Sequence, residues 1–125
     1  MLTRILLLSL LSTTGYANVI DCASGNADHQ IAVEINPDHD TGMLNIDGQH
    51  LSLRCTKDNQ GLELVCHAFR ATTVYTVKIH RNTHSRRLWE HKGHIDRILG
   101  GFTGSIYTDL GELHCAEWPE GSFPH

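Results

Sequence analysis

Residues 51–66 read Leu51-Ser52-Leu53-Arg54-Cys55-Thr56-Lys57-Asp58-Asn59-Gln60-Gly61-Leu62-Glu63-Leu64-Val65-Cys66. Apolar and polar residues alternate on both sides of a turn sequence, Asp58-Asn59-Gln60-Gly61. Alternation with a period of two marks half-buried strands, and turn residues between two such runs specify a hairpin. Cys55 and Cys66 fall on the side that carries the leucines, close to one another. The chain has four cysteines, and four can pair in three ways. The hairpin favours Cys55–Cys66, which leaves Cys22 and Cys115, near the two ends of the chain, as the second disulfide.

The same alternation extends in both directions. Ile31, Val33 and Ile35 alternate with Ala32, Glu34 and Asn36, and Leu44 and Ile46 follow a loop at 37–42. With Gly48-Gln49 as a turn, Ile46 is expected opposite Leu51 and Leu44 opposite Leu53, which keeps every apolar side chain on one face. Tyr75, Val77 and Ile79 alternate with Thr76, Lys78 and His80. A turn at Asn82-Thr83-His84-Ser85 would place Ile79 opposite Leu88, His80 opposite Arg87 and Lys78 opposite Trp89. Ile95, Ile98 and Leu99 have helical spacing, but a Gly100-Gly101 turn pairs Leu99 with Phe102 and Ile95 with Ile106. A further turn at Leu110-Gly111 pairs Ile106 with Cys115. Strands are therefore predicted throughout: eight to ten short ones, an all-β antiparallel meander closing into a small barrel or a two-sheet sandwich, with two disulfides.

The chain of 125 residues is one domain by length, and its hydrophobic fraction of 40% is enough for one core. Residues 1–17, MLTRILLLSLLSTTGYA, place Arg4 before an apolar run and end in Gly15-Tyr16-Ala17. This reads as a signal peptide cleaved after Ala17, too short for a membrane span. Asp21 before Cys22 argues against lipidation there. Residues 18–125 are then a single exported β domain, periplasmic or secreted. Four cysteines with no Cys-x-x-Cys suit an oxidising compartment.

No Gly-x-Ser-x-Gly elbow, phosphate loop or Gly-x-Gly-x-x-Gly occurs, so no catalytic residue and no cofactor is assigned. Glu112, Glu117 and Glu120 read as a solvated C-terminal strand and tail. Ten histidines raise zinc or copper binding as an alternative, yet His-x-His, the spacing that puts two ligands on one strand face, is absent. Charge is segregated along the chain. Residues 18–66 carry net −6, residues 67–108 net +5, and residues 109–125 four acids and no base. In the register above, Lys78, His80, Arg87, Trp89 and His91 share a face. They form a candidate surface for an anionic protein or an envelope polysaccharide; an acidic, exported chain does not suit nucleic acid.

The stretch Trp89-Glu90-His91-Lys92-Gly93 resembles the Trp-x-Lys-Gly stretch of the periplasmic C-type lysozyme inhibitors, with one residue more between tryptophan and lysine. The resemblance implies a small exported antiparallel β-barrel with a disulfide that binds, and inhibits, an enzyme. The Ser-Gly-x-x-Tyr inhibitory loop of that family has no counterpart; Thr72-Thr73-Val74-Tyr75 retains only the tyrosine.

Overall fold

A computed structural model describes residues 18–24, 28–82, 90–101 and 104–119. The signal-peptide expectation for 1–17 lies outside them. The strands are β1 (Asn18–Ser24), β2 (Ile31–Asn36), β3 (Thr41–Ile46), β4 (Gln49–Asp58), β5 (Glu63–Arg70), β6 (Thr73–His80), β7 (Glu90–Gly101) and β8 (Gly104–Pro119). Each pairs antiparallel with the next, and β8 returns to β1, so the sheet closes into an eight-stranded barrel. The only other regular element among the described residues is a 3₁₀ turn, Asn59–Gly61. No helix among them is long and apolar enough to cross a membrane.

The alternating residues fill the barrel as their pattern requires. Ile20, Ile35, Leu44, Leu53, Leu64, Val77, Ile79, Ile95 and Leu113 are all essentially inaccessible to solvent. Both disulfides join cross-strand neighbours that face inward: Cys55–Cys66 between β4 and β5, Cys22–Cys115 between β1 and β8. The second ties the first strand to the last, so it holds the seam at which the barrel closes.

Four expected registers are corrected. At the β3–β4 hairpin, Leu44 pairs with Leu51 and Ile46 with Gln49, so the turn is Asp47-Gly48. Positive φ at both turn residues, 49° and 87°, gives the type I′ geometry that Asp-Gly favours, and the two-residue shift keeps the leucines on one face. At the β7–β8 hairpin, Leu99 pairs with Ile106 and Gly101 with Gly104, so the chain reverses beyond Gly100-Gly101. Leu110-Gly111 is not a turn: β8 continues through it, and the register with β7 shifts between Ile95 and Asp96. Gly111 has φ of 111°, and the extra residue is absorbed as a bulge rather than a reversal. The fourth correction, between β6 and β7, concerns the site and is given below.

Two glycines are required by space. A Cβ on Gly42 would lie 2.5 Å from the backbone oxygen of Glu34, and one on Gly93 would lie 3.2 Å from Cys115 Sγ. Gly42→Ala is expected to destabilise the barrel by about 2–3 kcal/mol, because a backbone carbonyl of the paired strand must move. Equilibrium urea unfolding checks it. In the chain-entropy picture, losing the 93-residue Cys22–Cys115 link costs about 4–5 kcal/mol and losing the 11-residue Cys55–Cys66 link about 2–3 kcal/mol. The Cys22→Ala/Cys115→Ala chain is therefore expected to unfold at lower urea than Cys55→Ala/Cys66→Ala.

Candidate functional site

Two surfaces of the barrel carry chemistry beyond alternation: a polar cluster at one end, and the outer face of β5–β8. The polar cluster gathers residues from both chain ends and from the connections between them. Asn18 opens β1, Arg81 follows β6, His91 is the second residue of β7 and Glu117 lies near the end of β8. Arg81 donates through Nε (3.1 Å) and Nη2 to the two oxygens of the Glu117 carboxylate. Asn18 Nδ2 donates to Oε2 at 2.7 Å. The His91 ring links Glu117 Oε1 (Nε2, 2.7 Å) to the backbone N–H of Asn82 (Nδ1, 2.8 Å). Because Nδ1 accepts, the tautomer is fixed by geometry: Nε2 carries the proton and donates it to the carboxylate. Arg81 also donates through Nη1 to the Gly61 carbonyl, and its backbone N–H to the Leu62 carbonyl.

Glu117 is thus a buried anion with four donors, its side chain 10% exposed and that of His91 2%. Burial pushes its carboxyl up, but the bonds from His91, Arg81 and Asn18, with the Arg81 charge, outweigh burial and bring it down to about 2. The cluster is saturated internally, so its chemistry is structural. It sets where the chain leaves β6 and where it enters β7.

That anchoring corrects the expected β6–β7 register. Ile79 pairs with Gly93, His80 with Lys92 and Lys78 with His94, in place of Leu88, Arg87 and Trp89. The displacement is five residues, an odd number, and an odd slip sends each side chain of the second strand to the opposite face. Lys78 and His80 do point outward, whereas His91 points inward and is buried, so these three do not share a face. Arg87 and Trp89 lie outside the described residues. Glu117 is likewise no solvated tail residue. The available signal was Gly93: reading it as an inward position beside a half-cystine puts His91 and Ile95 inside as well.

The outer face of β5–β8 is a grid of four rows, each with one residue per strand. The first is Glu63, His80, Lys92 and His114; the second is Val65, Lys78, His94 and Glu112. The third is His67, Thr76, Asp96 and Asp109; the fourth, toward the far end of the barrel, is Phe69, Val74, Ile98 and Tyr107. The expected cationic face is therefore interleaved with carboxylates. His94 Nε2 lies 2.8 Å from Asp109 and His80 Nδ1 3.6 Å from Glu63. The reason is the fold: antiparallel pairing sets β7, from the basic stretch, beside β8, from the acidic one. An open groove of about 820 Å³ runs on from the first row over Asp21, Ala23 and Ala116. Burial, and then the Glu34 carboxylate beside it, raise the Asp21 carboxyl above its ordinary range.

The fourth row is apolar and open. Phe69 is 68% exposed, Tyr107 61% and Ile98 37%. His67 extends it, its ring 6.3 Å from that of Phe69 and its Nδ1 3.1 Å from Thr76 Oγ1. Among the described residues, no three His, Cys, Asp or Glu side chains are grouped so as to hold a metal ion. No family model, curated protein or solved structure matches this chain.

The Glu117 cluster predicts an acid-labile end to the barrel. The folded carboxyl titrates near 2 against an ordinary 4.5, so its contribution is complete above about pH 4.5 and is lost as pH falls toward 2. Allowing for solvent screening of Arg81, that contribution is about 2 kcal/mol. Glu117→Gln is expected to destabilise the barrel by about 2–3 kcal/mol at pH 7 and to flatten the stability profile between pH 5 and 2. Urea unfolding at a series of pH values measures both.

Proposed function

We propose that this chain is an exported, non-catalytic binding protein and that the outer face of β5–β8 is its binding surface. The observation that carries the reading is the row Phe69, Val74, Ile98 and Tyr107, apolar side chains presented outward by four adjacent strands. Neighbouring strands lie about 4.8 Å apart, so the row is a stripe about 14 Å long. Aromatic and aliphatic anchors bordered by polar, partly paired residues are the anatomy of a protein interface. Here the border is His67, Thr76, Asp96 and Asp109, then Lys78, His94 and Glu112.

Export is supported by the segment 1–17 and by the two disulfides. Cleavage after Ala17 would make the Asn18 nitrogen an ammonium group, 3.1 Å from the Asp38 carboxylate that it meets in the fold. The partner is a protein, since a stripe of this width needs an apolar counterpart. Lys78 and Lys92 beside the stripe suit the anionic protein expected from the charge of residues 67–108. Lys78 and His80 remain on the surface, and Arg87 and Trp89 remain in the proposal through the β6–β7 connection that carries them. Inhibition of a secreted enzyme is the form of binding suggested by the resemblance at Trp89–Gly93.

The test is affinity capture by the mature protein from envelope and host-secretion extracts, beside three variants. Phe69→Ser/Ile98→Ser removes the stripe, Lys78→Glu/Lys92→Glu reverses the border, and Arg87→Ala/Trp89→Ala removes the connection's anchors. The first is expected to weaken capture at least tenfold, since loss of an interface anchor costs about 2 kcal/mol or more. Equal capture by the wild type and all three variants would place the surface elsewhere. An assay against C-type lysozyme, run alongside, decides whether the family resemblance extends to its activity.

A further inference from the structure

One cation turned into the barrel forms no hydrogen bond and no ion pair among the described residues. On β7, Gly93, Ile95 and Arg97 alternate on the inward side, and Arg97 lies toward the end of the barrel opposite Glu117. Its direct cross-strand neighbours are Tyr75 on β6 and Thr108 on β8. Tyr75 belongs to the core and is 7% exposed. Paired side chains of adjacent strands have Cβ atoms about 5 Å apart, so a guanidinium stands between two hydroxyl-bearing side chains. Arg97 Nε is sealed from solvent without an acceptor. The two terminal nitrogens of Arg97 and the hydroxyls of Tyr75 and Thr108 also lack hydrogen-bond partners among the described residues, but they are not sealed. Three side-chain donors in one inward row are therefore unused and within reach of solvent.

The carboxylate at this end of the barrel does not supply what is missing. Asp47 is held below the ordinary carboxylate range by the His29 ring and the Gln30 N–H above all, and by the Arg97 charge least. Its two oxygens are taken by His29 Nδ1 and the Gln30 N–H, each at 2.9 Å. A guanidinium drawn out of water is costly unless it is paired, and an unsatisfied buried donor calls for an explanation. We propose that Tyr75, Arg97 and Thr108 form a binding site for a carboxylate. The terminal nitrogens of Arg97 form a planar fork that matches the two oxygens of a carboxylate, and the flanking hydroxyls donate to the same oxygens. A planar monoanion suits the row better than a phosphate dianion, because one cation serves the site and Asp47 already brings a negative charge close to it.

The site lies back to back with the apolar stripe. Val74, Ile98 and Tyr107 are the chain neighbours of Tyr75, Arg97 and Thr108, and successive side chains of a strand point to opposite faces. The stripe is on the outside of these three strands and the donor row on the inside. This assignment therefore goes beyond the binding reading and does not depend on what the stripe binds. A free organic acid and the terminus of a polypeptide chain both offer the same pair of oxygens, and the probes below separate them.

Heteronuclear NMR on the mature, disulfide-bonded protein tests it, with sodium acetate and N-acetylglycine as probes, sodium phosphate as the competing anion and sodium chloride as the reference at equal ionic strength. The Arg97 Nε–H and the backbone amides of Tyr75, Arg97 and Thr108 are expected to shift saturably with carboxylate, with Kd on the order of 1 mM for so small a ligand. Tighter binding of N-acetylglycine assigns the site to a chain terminus, and tighter binding of acetate to a free acid. Arg97→Gln is expected to abolish the shifts at positions 75 and 108. Arg97→Lys keeps the charge but loses the fork, and is expected to weaken binding about tenfold. Tyr75→Phe/Thr108→Val keeps the shape but removes both hydroxyls, and is also expected to weaken binding. Far-UV circular dichroism verifies that each variant folds. Phe69→Ser, which removes an anchor of the stripe, is expected to bind acetate as wild type does. Shifts that fail to saturate by ~100 mM of either carboxylate would overturn the assignment, since that is far above the expected Kd. So would phosphate that binds more tightly than both carboxylates, or a folded Arg97→Gln chain that binds acetate as wild type does.

Discussion

The pairing of β1 with β8 is the constraint on which the rest of the molecule depends. Each of the other seven strand pairs joins sequence neighbours and forms with little loss of chain entropy. The seam is different: it brings Cys22 to Cys115 across nearly the whole domain. Without it the sheet has two open edges and its apolar face cannot close on itself. The disulfide offsets part of the closure entropy in advance, which suits a small domain outside the cytoplasm. Its sulfur needs room in the interior, and Gly93 on β7 leaves that room.

The polar cluster follows from the same seam. His91 pairs directly with Cys115, and Glu117 lies two residues further along β8 on the same side. One end of the barrel is thus lined by a half-cystine, a histidine and a carboxylate in succession. A carboxylate held there needs donors, and Arg81, His91 and Asn18 supply them from three separate segments. The cluster holds the connection between β6 and β7 and, through it, the register of those strands. The grid of side chains on the outer face inherits that register. A structural anion at one end of the barrel therefore decides which residues lie side by side on a surface well away from it.

The outer face also shows how strand pairing transforms a charge pattern. Read linearly, residues 67–108 are basic and residues 109–125 acidic. In the barrel β7 lies between β6 and β8, so Lys78, Lys92 and the three histidines 80, 94 and 114 are separated by Glu63, Asp109 and Glu112. What distinguishes the face is then the stripe Phe69, Val74, Ile98 and Tyr107. These four residues are separated in sequence by up to 38 positions and became one feature only through three registers in a row.

Alternation alone determined β2 to β6, their inward residues and the Cys55–Cys66 pair, because the side-chain period of a strand is a local property. The Asp47-Gly48 turn is equally local, because Asp-Gly suits positive φ at both positions. Registers across the longer connections were not legible. A nine-residue connection between His80 and Glu90 permits either parity, and what chose between them was the contact of Gly93 with the Cys115 sulfur and of His91 with Glu117. A turn and a bulge at Leu110-Gly111 are alike in sequence because a glycine at positive φ serves both, and the partner strand decides which. Glu117 looked like a solvated tail residue because its four donors come from three distant residues, at positions 18, 81 and 91. Sequence by itself determined what β2 to β6 bury. Only the closed barrel decided which residues became neighbours, since that depends on contacts made across the whole length of the chain.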